Sequence, residues 1–399
     1  MEQIAAPEKS AIRIGPFGSA LKKHEYSEVG VRVLGIEDVF PNELVSEKRK
    51  YIPEPKFREL SQYTVKPGDL LVTNMGTVGR TCVVPDDLEK SIISSHLIKI
   101  SLDTHAAWPP YVSWMLNFCP LVVAQIKAKC HGAIMAGFNS GLLKQLRIPL
   151  PPLAEQRRIA EVLDRAEALR AKRRHALAQL DILTQAIFLE MFGDPVTNPK
   201  HWEAKPFAKV LENAEVFVDG DWVESKDQNP DGAVRLIQLA DVGDGIYLNK
   251  SARFLTPEKA ADLRCTFLRT GDVLVARMPD PLGRACIFPG EHQECVTVVD
   301  VCIIRPSKGG PDIYWLVSCI NSDSFRKQVA RHATGTTRER ISRGNLSKLQ
   351  VSVPPFPLQR EFAGQVKTVE RLKAKQRVSL AKLDSLFASL QHRAFKGDL

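Results

Sequence analysis

Internal repetition constrains this chain more than any other feature. PPLAEQRRI beginning at Pro151 returns as PPFPLQREF beginning at Pro354, 203 residues later. GDLLVTNMGTVGR (Gly68 to Arg80) returns as GDVLVARMPDPLGR (Gly271 to Arg284), and FNSGLLKQL (Phe138 to Leu146) as ISRGNLSKL (Ile341 to Leu349). One unit is written twice in the same order, so the fold must contain two similar modules. At 399 residues the chain also exceeds what a single hydrophobic core usually serves. Two matched modules suit an extended partner touched at two places, which one catalytic pocket would not require.

Within each module short apolar runs alternate with Gly, Pro and Asp. VRVLGIEDV (Val31 to Val39) and its counterpart VRLIQLADV (Val234 to Val242) read as strands ending in turns. GDLLVT and GDVLVA each place a Gly-Asp turn before a buried strand, and CVVP at Cys82 and CIFP at Cys286 supply the returning strand of a hairpin with a long tip. YVSWMLNF (Tyr111 to Phe118) and IYWLVSCINS (Ile313 to Ser322) have helical spacing, so each module is mixed α/β.

A proline pair follows each module, and then the chain runs from Ala154 to Phe192 without Gly or Pro. At 1.5 Å per residue that is one helix of about 55 Å. Ile159, Val162, Ala166, Leu169, Ala176, Leu180, Leu183 and Ile187 fit a heptad seam, and Phe362, Val369, Leu372, Leu383, Leu386 and Leu390 fit another in the second helix. Arg173 and Gln376 interrupt these seams at equivalent places, where a polar residue fixes register. The turn-rich GDPVTNPKHW (Gly193 to Trp202) predicts a hinge-like corner and antiparallel pairing of the helices. A parallel hairpin is hard to build across so short a loop.

The composition is 44% hydrophobic and 25% charged, with no run long enough to span a membrane. The opening MEQIAAPEKS has no basic stretch leading into an apolar run, so the expected setting is cytoplasmic and the eight cysteines read as thiols. Cys82 and Cys286 fit core packing. The net charge of +9 favours an anionic partner. Catalytic signatures are missing: there is no GxxxxGK[ST] loop, no GxSxG elbow, no CxxC pair, and no histidines at metal-ligand spacing. NPDG at Asn229 and PDPLG at Pro279 lack the aromatic residue of an amino-methyltransferase tetrapeptide.

PLPPLAEQRRIAEVLD, the long helix, FGDP before the second module, GDVLVARMPDPLGRACIFPG and GTTRERISRGNL together resemble the specificity (S) subunits of type I restriction-modification systems over nearly the whole chain. The resemblance implies two target-recognition domains separated by two long helices that form an antiparallel coiled coil, with pseudo-two-fold symmetry. Residues 1–150 form the first domain, 151–195 the first spacer helix, 196–353 the second domain and 354–399 the second helix. The implied role is recognition of a bipartite target in double-stranded DNA, one half-site per domain, without catalysis by this chain. The partners implied are methylation subunits, two of them, and restriction subunits. S-adenosylmethionine, ATP and magnesium would belong to those partners, and this chain binds no cofactor. The competing reading is a two-headed protein-binding scaffold. One departure stands out: the second module has a lead-in from Trp202 to Trp222, whereas the first has only Met1 to Gly30 before its VRVLGIEDV strand, so the first is expected to be compact or to lack its opening element.

Base readout needs polar side chains on loops and tips, and phosphates need cations. Arg277 and Arg284 bracket the second hairpin tip, and Thr336, Thr337, Arg338, Arg340 and Arg343 lie in TGTTRERISR. In the first module the tip holds Asn74 and Arg80, and GPFGSALKKHEY carries Lys22 and Lys23 after two glycines. The arginines of the first long helix read either as a solvated coiled-coil flank or, as the resemblance implies, as a docking surface for methylation subunits. Trp222 reads as a packed aromatic, with stacking or wedging against a ligand as the other reading, and His96 is expected to be structural by its alignment with Asp300 in a buried strand. Different loops on a shared frame predict two different half-sites.

Overall fold

The computed structural model describes residues 1–8, 10–17, 20–45, 49–130, 138–279, 281–335 and 338–399. Two compact units result: Met1–Arg173 with Ser379–Leu399, and Arg174–Val378. Each therefore takes half of each long helix.

In the first unit a four-stranded antiparallel sheet runs in the order Ile12–Ile14, Leu97–Ile100, Leu70–Thr73, Thr81–Val83. A three-stranded sheet has Val31–Leu34 between Tyr51–Ile52 and Ser91–Ile93, parallel to the latter. The second unit repeats both: Val216–Asp219, Val301–Arg305, Val273–Ala276, Ala285–Ile287, and then Val234–Ile237 between Phe254–Leu255 and Cys295–Thr297. The central runs LLVT and VLVA are buried throughout because both faces are covered. Leu70 and Val72 enter the helical layer while Leu71 meets Cys82 and Ile93 on the other side. Val273 and Val275 likewise face the helices, and Leu274 and Ala276 face Cys286 and Val301.

Polar latches recur with the repeat. Arg32 pairs with Asp38 at 2.9 Å and Arg235 with Asp241 at 3.4 Å, all four buried. The Asn117 side chain accepts from the Thr81 amide at 2.9 Å and donates to its carbonyl at 2.7 Å, finishing the sheet edge as a further strand would; Asn321 treats Ala285 the same way at 2.8 and 2.9 Å. The amide oxygen of buried Gln156 accepts from Trp108 N at 2.9 Å, and its nitrogen donates to Ala106 O and Pro151 O at 3.1 and 2.8 Å. Gln359 accepts from Asp312 N at 2.9 Å and donates to Pro354 O at 2.8 Å.

A two-stranded ribbon, Glu203–Pro206 with Gln350–Val353, opens the second unit, and none corresponds to it among the described residues of the first. Where the amide of Phe207 donates to Leu349 O at 2.7 Å, the ammonium of Met1 donates to the equivalent Leu146 O at 2.7 Å.

The long helices span Leu153–Phe192 and Phe356–Lys396. In the first unit their segments run antiparallel: Arg158 donates to Leu399 O, and Arg170 Nε lies 2.7 Å from Asp384 Oδ1. In the second, Phe188 and Phe192 stack edge-on against Phe362 at 5.7 and 5.3 Å, and Lys373 Nζ lies 3.0 Å from Asp181. Ile159, Phe362 and Val369 are buried; Ala166, Arg173, Leu180, Ile187, Gln376, Leu383 and Leu390 are half-buried. The companion positions differ from expectation. Leu169, Leu183, Leu372 and Leu386 are exposed, and the inward places one residue on belong to Arg170, Thr184, Lys373 and Phe387. Choosing by apolarity alone selected the leucines. The long stems of Arg170 and Lys373 pack inward while their charged ends find Asp384 and Asp181, and Arg170 lies 4.2 Å over the Phe387 ring. The corner after the first helix is bonded throughout: Gly193 takes φ +74°, Asp194 accepts the amides of Val196 and Thr197, and Trp202 Nε1 donates to Phe192 O at 3.0 Å.

The Asp241 carboxyl is buried, which alone would raise its pKa, but bonds from the Ser251 hydroxyl and the amides of Ser251, Gln238 and Lys250 outweigh burial and hold it below its ordinary value of 3.8. A depressed acid stabilises the fold above its ordinary pKa and loses that contribution as pH falls through the folded value. Asp241→Asn, which turns amide hydrogens toward those donors, should destabilise the second unit by about 3 kcal/mol at neutral pH. Denaturant titrations at pH 7 and below 4 will check this, because the variant's deficit should shrink in acid.

Candidate nucleic-acid interface

The hairpin tip of the second unit does not present its two arginines alike. Arg284 is buried, and its guanidinium donates to the carbonyls of Val242, Leu239, Pro279 and Pro281 at 2.5, 2.7, 3.0 and 3.0 Å, which braces the tip from inside. Arg277 is also buried. It donates to Val299 O, its Nε lies 3.4 Å from Asp219 Oδ1, and burial pushes its pKa below the ordinary value. Sequence reasoning placed both on a protruding tip; the fold turns both side chains inward, Arg284 to carbonyls of the Pro-rich tip and of the neighbouring Leu239 and Val242, and Arg277 to Val299 O of the adjacent turn, because these carbonyls need donors.

The arginine loop is outward. Arg338 is exposed and has no ion-pair partner among the described residues. Arg340 is part-exposed with its guanidinium 3.2 Å from Asp300, and Arg343 donates to Phe217 O at 2.7 Å from the first turn of a short helix capped by Ser342. Thr336 and Thr337 lie outside the described residues. Arg338 and Arg340 line a cleft of about 1020 Å³ together with Trp222, Gln228, Gln238 and Arg253. Trp222 was expected to be packed and is instead 68% exposed, its Nε1 donating to Glu224 at 3.3 Å. Gln228 and Arg253, bonded to each other at 2.9 Å, were not singled out from the sequence, since nothing in a lone Gln or Arg marks a cleft wall. Trp222 had a signal: GDW stands where the first module has GPF.

In the first unit Lys22 and Lys23 are exposed on a short turn fixed by Glu25, whose carboxylate accepts the Lys22 amide and pairs with Lys56 at 2.8 Å. Arg80 is half-buried, 5.6 Å from the Phe40 ring centre. Asn74 is buried and ties the strand end inward: its side chain donates to Ser95 O at 3.1 Å and its backbone bonds His96 O and Phe138 N. His96 is exposed on the turn between Ser91–Ile93 and Leu97–Ile100, and Asp300 occupies the matching turn, so alignment with a buried strand misplaced it.

Burial pushes the thiols of Cys82 and Cys286 up to about 12, in keeping with core packing. Among the described residues no group of three or more His, Cys, Asp or Glu could hold a metal, and no helix is long and apolar enough to cross a membrane. The arrangement offers cations, amides and an aromatic ring on fixed frames.

Residues 22–179 match the model of the type I restriction modification DNA specificity domain. The chain is 23% identical to the type I restriction enzyme EcoBI specificity subunit of Escherichia coli, covering 96% of this chain and 83% of that one. It is 20% identical to the MjaVIII specificity subunit of Methanocaldococcus jannaschii, over 74% and 72% of the two chains. Among solved structures it is similar in fold to the type I restriction-modification S subunit from M. genitalium, with a TM-score of 0.56 at 13% identity over 99% and 94% of the chains. A chain from a type I R-M system studied for its complex assembly gives 0.57 at 20% identity over 100% and 97%. With its doubled module, its paired helices and these matches, the chain is similar along most of its length to specificity subunits of type I restriction-modification systems, and residues 22–179 match their DNA specificity domain.

Proposed function

We propose that this chain chooses the DNA target of a type I restriction-modification complex, reading one half-site with each module and leaving the intervening base pairs unread. The carrying observation is that one frame occurs twice while the segments it carries differ in sequence: TGTTRERISR brings three arginines to the second module, and the equivalent CHGAIMAGFNS of the first, most of which lies outside the described residues, contains none. A shared frame with divergent loops is what reading two unlike sequences requires. Residues 1–150 and 196–353 act as the readers, and residues 151–195 with 354–399 set the spacing between half-sites. The chain recognises and does not catalyse. Two methylation subunits and, through the assembled complex, restriction subunits are its partners, and S-adenosylmethionine, ATP and magnesium act on those subunits in the cytoplasm.

The contact set we assign keeps the cations that the fold leaves exposed or half-exposed and adds two threonines from sequence alone. Lys22, Lys23 and Arg80 serve the first half-site, and Arg338, Arg340 and Arg343, with Thr336 and Thr337 of the same loop, serve the second. Asn74, Arg277 and Arg284 hold the frames behind them.

Duplexes carrying both half-sites at the native spacing should bind far more tightly than either half alone, and inserting or removing a few base pairs between them should abolish the gain. Equal binding at every spacing in a competition assay would reject the bipartite reading. Arg338→Ala should weaken binding and lower the slope of log affinity against log salt by about one unit. Arg284→Ala should leave that slope alone and lower unfolding stability by about 3 kcal/mol, because it strips four carbonyls of a charged donor.

A further inference from the structure

Phe17 and Trp222 are the two most exposed aromatic side chains among the described residues, at 62% and 68%, and they occupy the same place in the two modules. Each follows the first strand of its four-stranded sheet. Ile12–Ile14 leads into Gly15-Pro16-Phe17, and Val216–Asp219 leads into Gly220-Asp221-Trp222. Both glycines are fixed by contact. A Cβ on Gly15 would lie 2.0 Å from Ser94 O, and one on Gly220 would lie 2.2 Å from Val298 O. The chain thus crosses tightly over the turn that joins the two sheets, held by Gly15 N to Leu97 O at 3.0 Å and Gly220 N to Val301 O at 2.8 Å. The mount is rigid after the glycine as well: Asp221 N donates to Thr297 O at 2.8 Å and its carboxylate accepts Thr266 N at 3.0 Å.

A large ring held in water on a stiff mount, and repeated in both modules, carries a free-energy cost that the fold does not require. The surroundings indicate the ligand. Trp222 shares its cleft with Arg253, Arg338 and Arg340. Of the acids there, Asp300 is matched by Arg340 at 3.2 Å and Glu224 by Lys226 at 2.8 Å, and Asp221 is turned to the Thr266 amide, which leaves Arg253 and Arg338 without an acid partner among the described residues. Phe17 precedes the exposed Lys22 and Lys23. An aromatic face beside unspent positive charge suits nucleobases beneath a phosphate backbone.

The geometry points to Phe17 and Trp222 as a matched pair of base-contacting residues, each stacking against or wedging into one base-pair step of its own half-site in duplex DNA. This rests on the DNA reading given above and assigns the contact that the charged residues do not supply. The cations find the backbone, and the ring senses how readily a base step opens, which depends on sequence.

The test uses the full-length protein with the subunits that copurify with it. Duplexes are enriched from a randomised pool by the wild type, and binding of the enriched duplex is then measured for Phe17→Ala, Trp222→Ala and Trp222→Phe. Each alanine variant should lose about tenfold or more in affinity. The salt slope should stay unchanged because no charge is removed, and Trp222→Phe should recover most of the loss. With 2-aminopurine placed along the enriched duplex, wild-type binding should raise fluorescence at one step in each half-site, and each alanine variant should silence only its own. Alanine variants that bind like the wild type, or that lose both signals together, overturn the inference and leave the DNA reading standing. A wild-type protein that enriches no duplex overturns the DNA reading and this inference with it.

Discussion

A buried glutamine amide at the foot of each long helix sets how a module is joined to its spacer. Gln156 and Gln359 sit one turn into their helices, where no water reaches, and each side chain satisfies a module amide on one side and the carbonyl of the proline preceding the helix on the other. An unpaired amide in such a place costs as much as several ordinary contacts stabilise, so the joint has one low-energy geometry. Everything that the modules present outward inherits its direction from that joint. The repeat preserves the glutamine in PPLAEQ and PPFPLQ while the residues between vary.

Inside the modules the same economy holds. The Arg32–Asp38 and Arg235–Asp241 pairs, and the asparagines that finish the Thr81 and Ala285 edges, are equivalent polar groups placed where apolar packing could not specify a unique arrangement. They leave the frame independent of its loops. That independence lets the two copies carry unlike sequences between matching elements, and it gives each exposed ring a fixed base.

Much of this was legible in the sequence, because repetition converts weak local signals into strong ones. The hairpins, the helices Pro109–Phe118 and Ile313–Ile320 and the long spacers all follow from apolar period and turn residues. Side-chain direction was less legible. The heptad companions were set one residue off, since Arg170 and Lys373 read as surface charges until their acids are seen across the helix pair. Arg277, Arg284 and Asn74 read as tip residues because a sequence shows where a loop lies and not which of its carbonyls lack donors. Trp222 read as core because large rings usually are; its exposure depends on how closely Gly220 crosses a neighbouring turn, a distance that no local pattern encodes.

The division of the helices between units also orders events in time. Residues 174–378 are contiguous and can close their core as soon as they leave the ribosome. The first unit cannot, although it is made first. Its Trp114 packs against Phe387 at 5.8 Å, and Arg170 pairs with Asp384, so the earlier unit is completed only by residues made after the whole later one. A chain ending before Ser379 would leave the face of Trp114 that meets Phe387 uncovered, so the last segment to be made is the one that closes the first core.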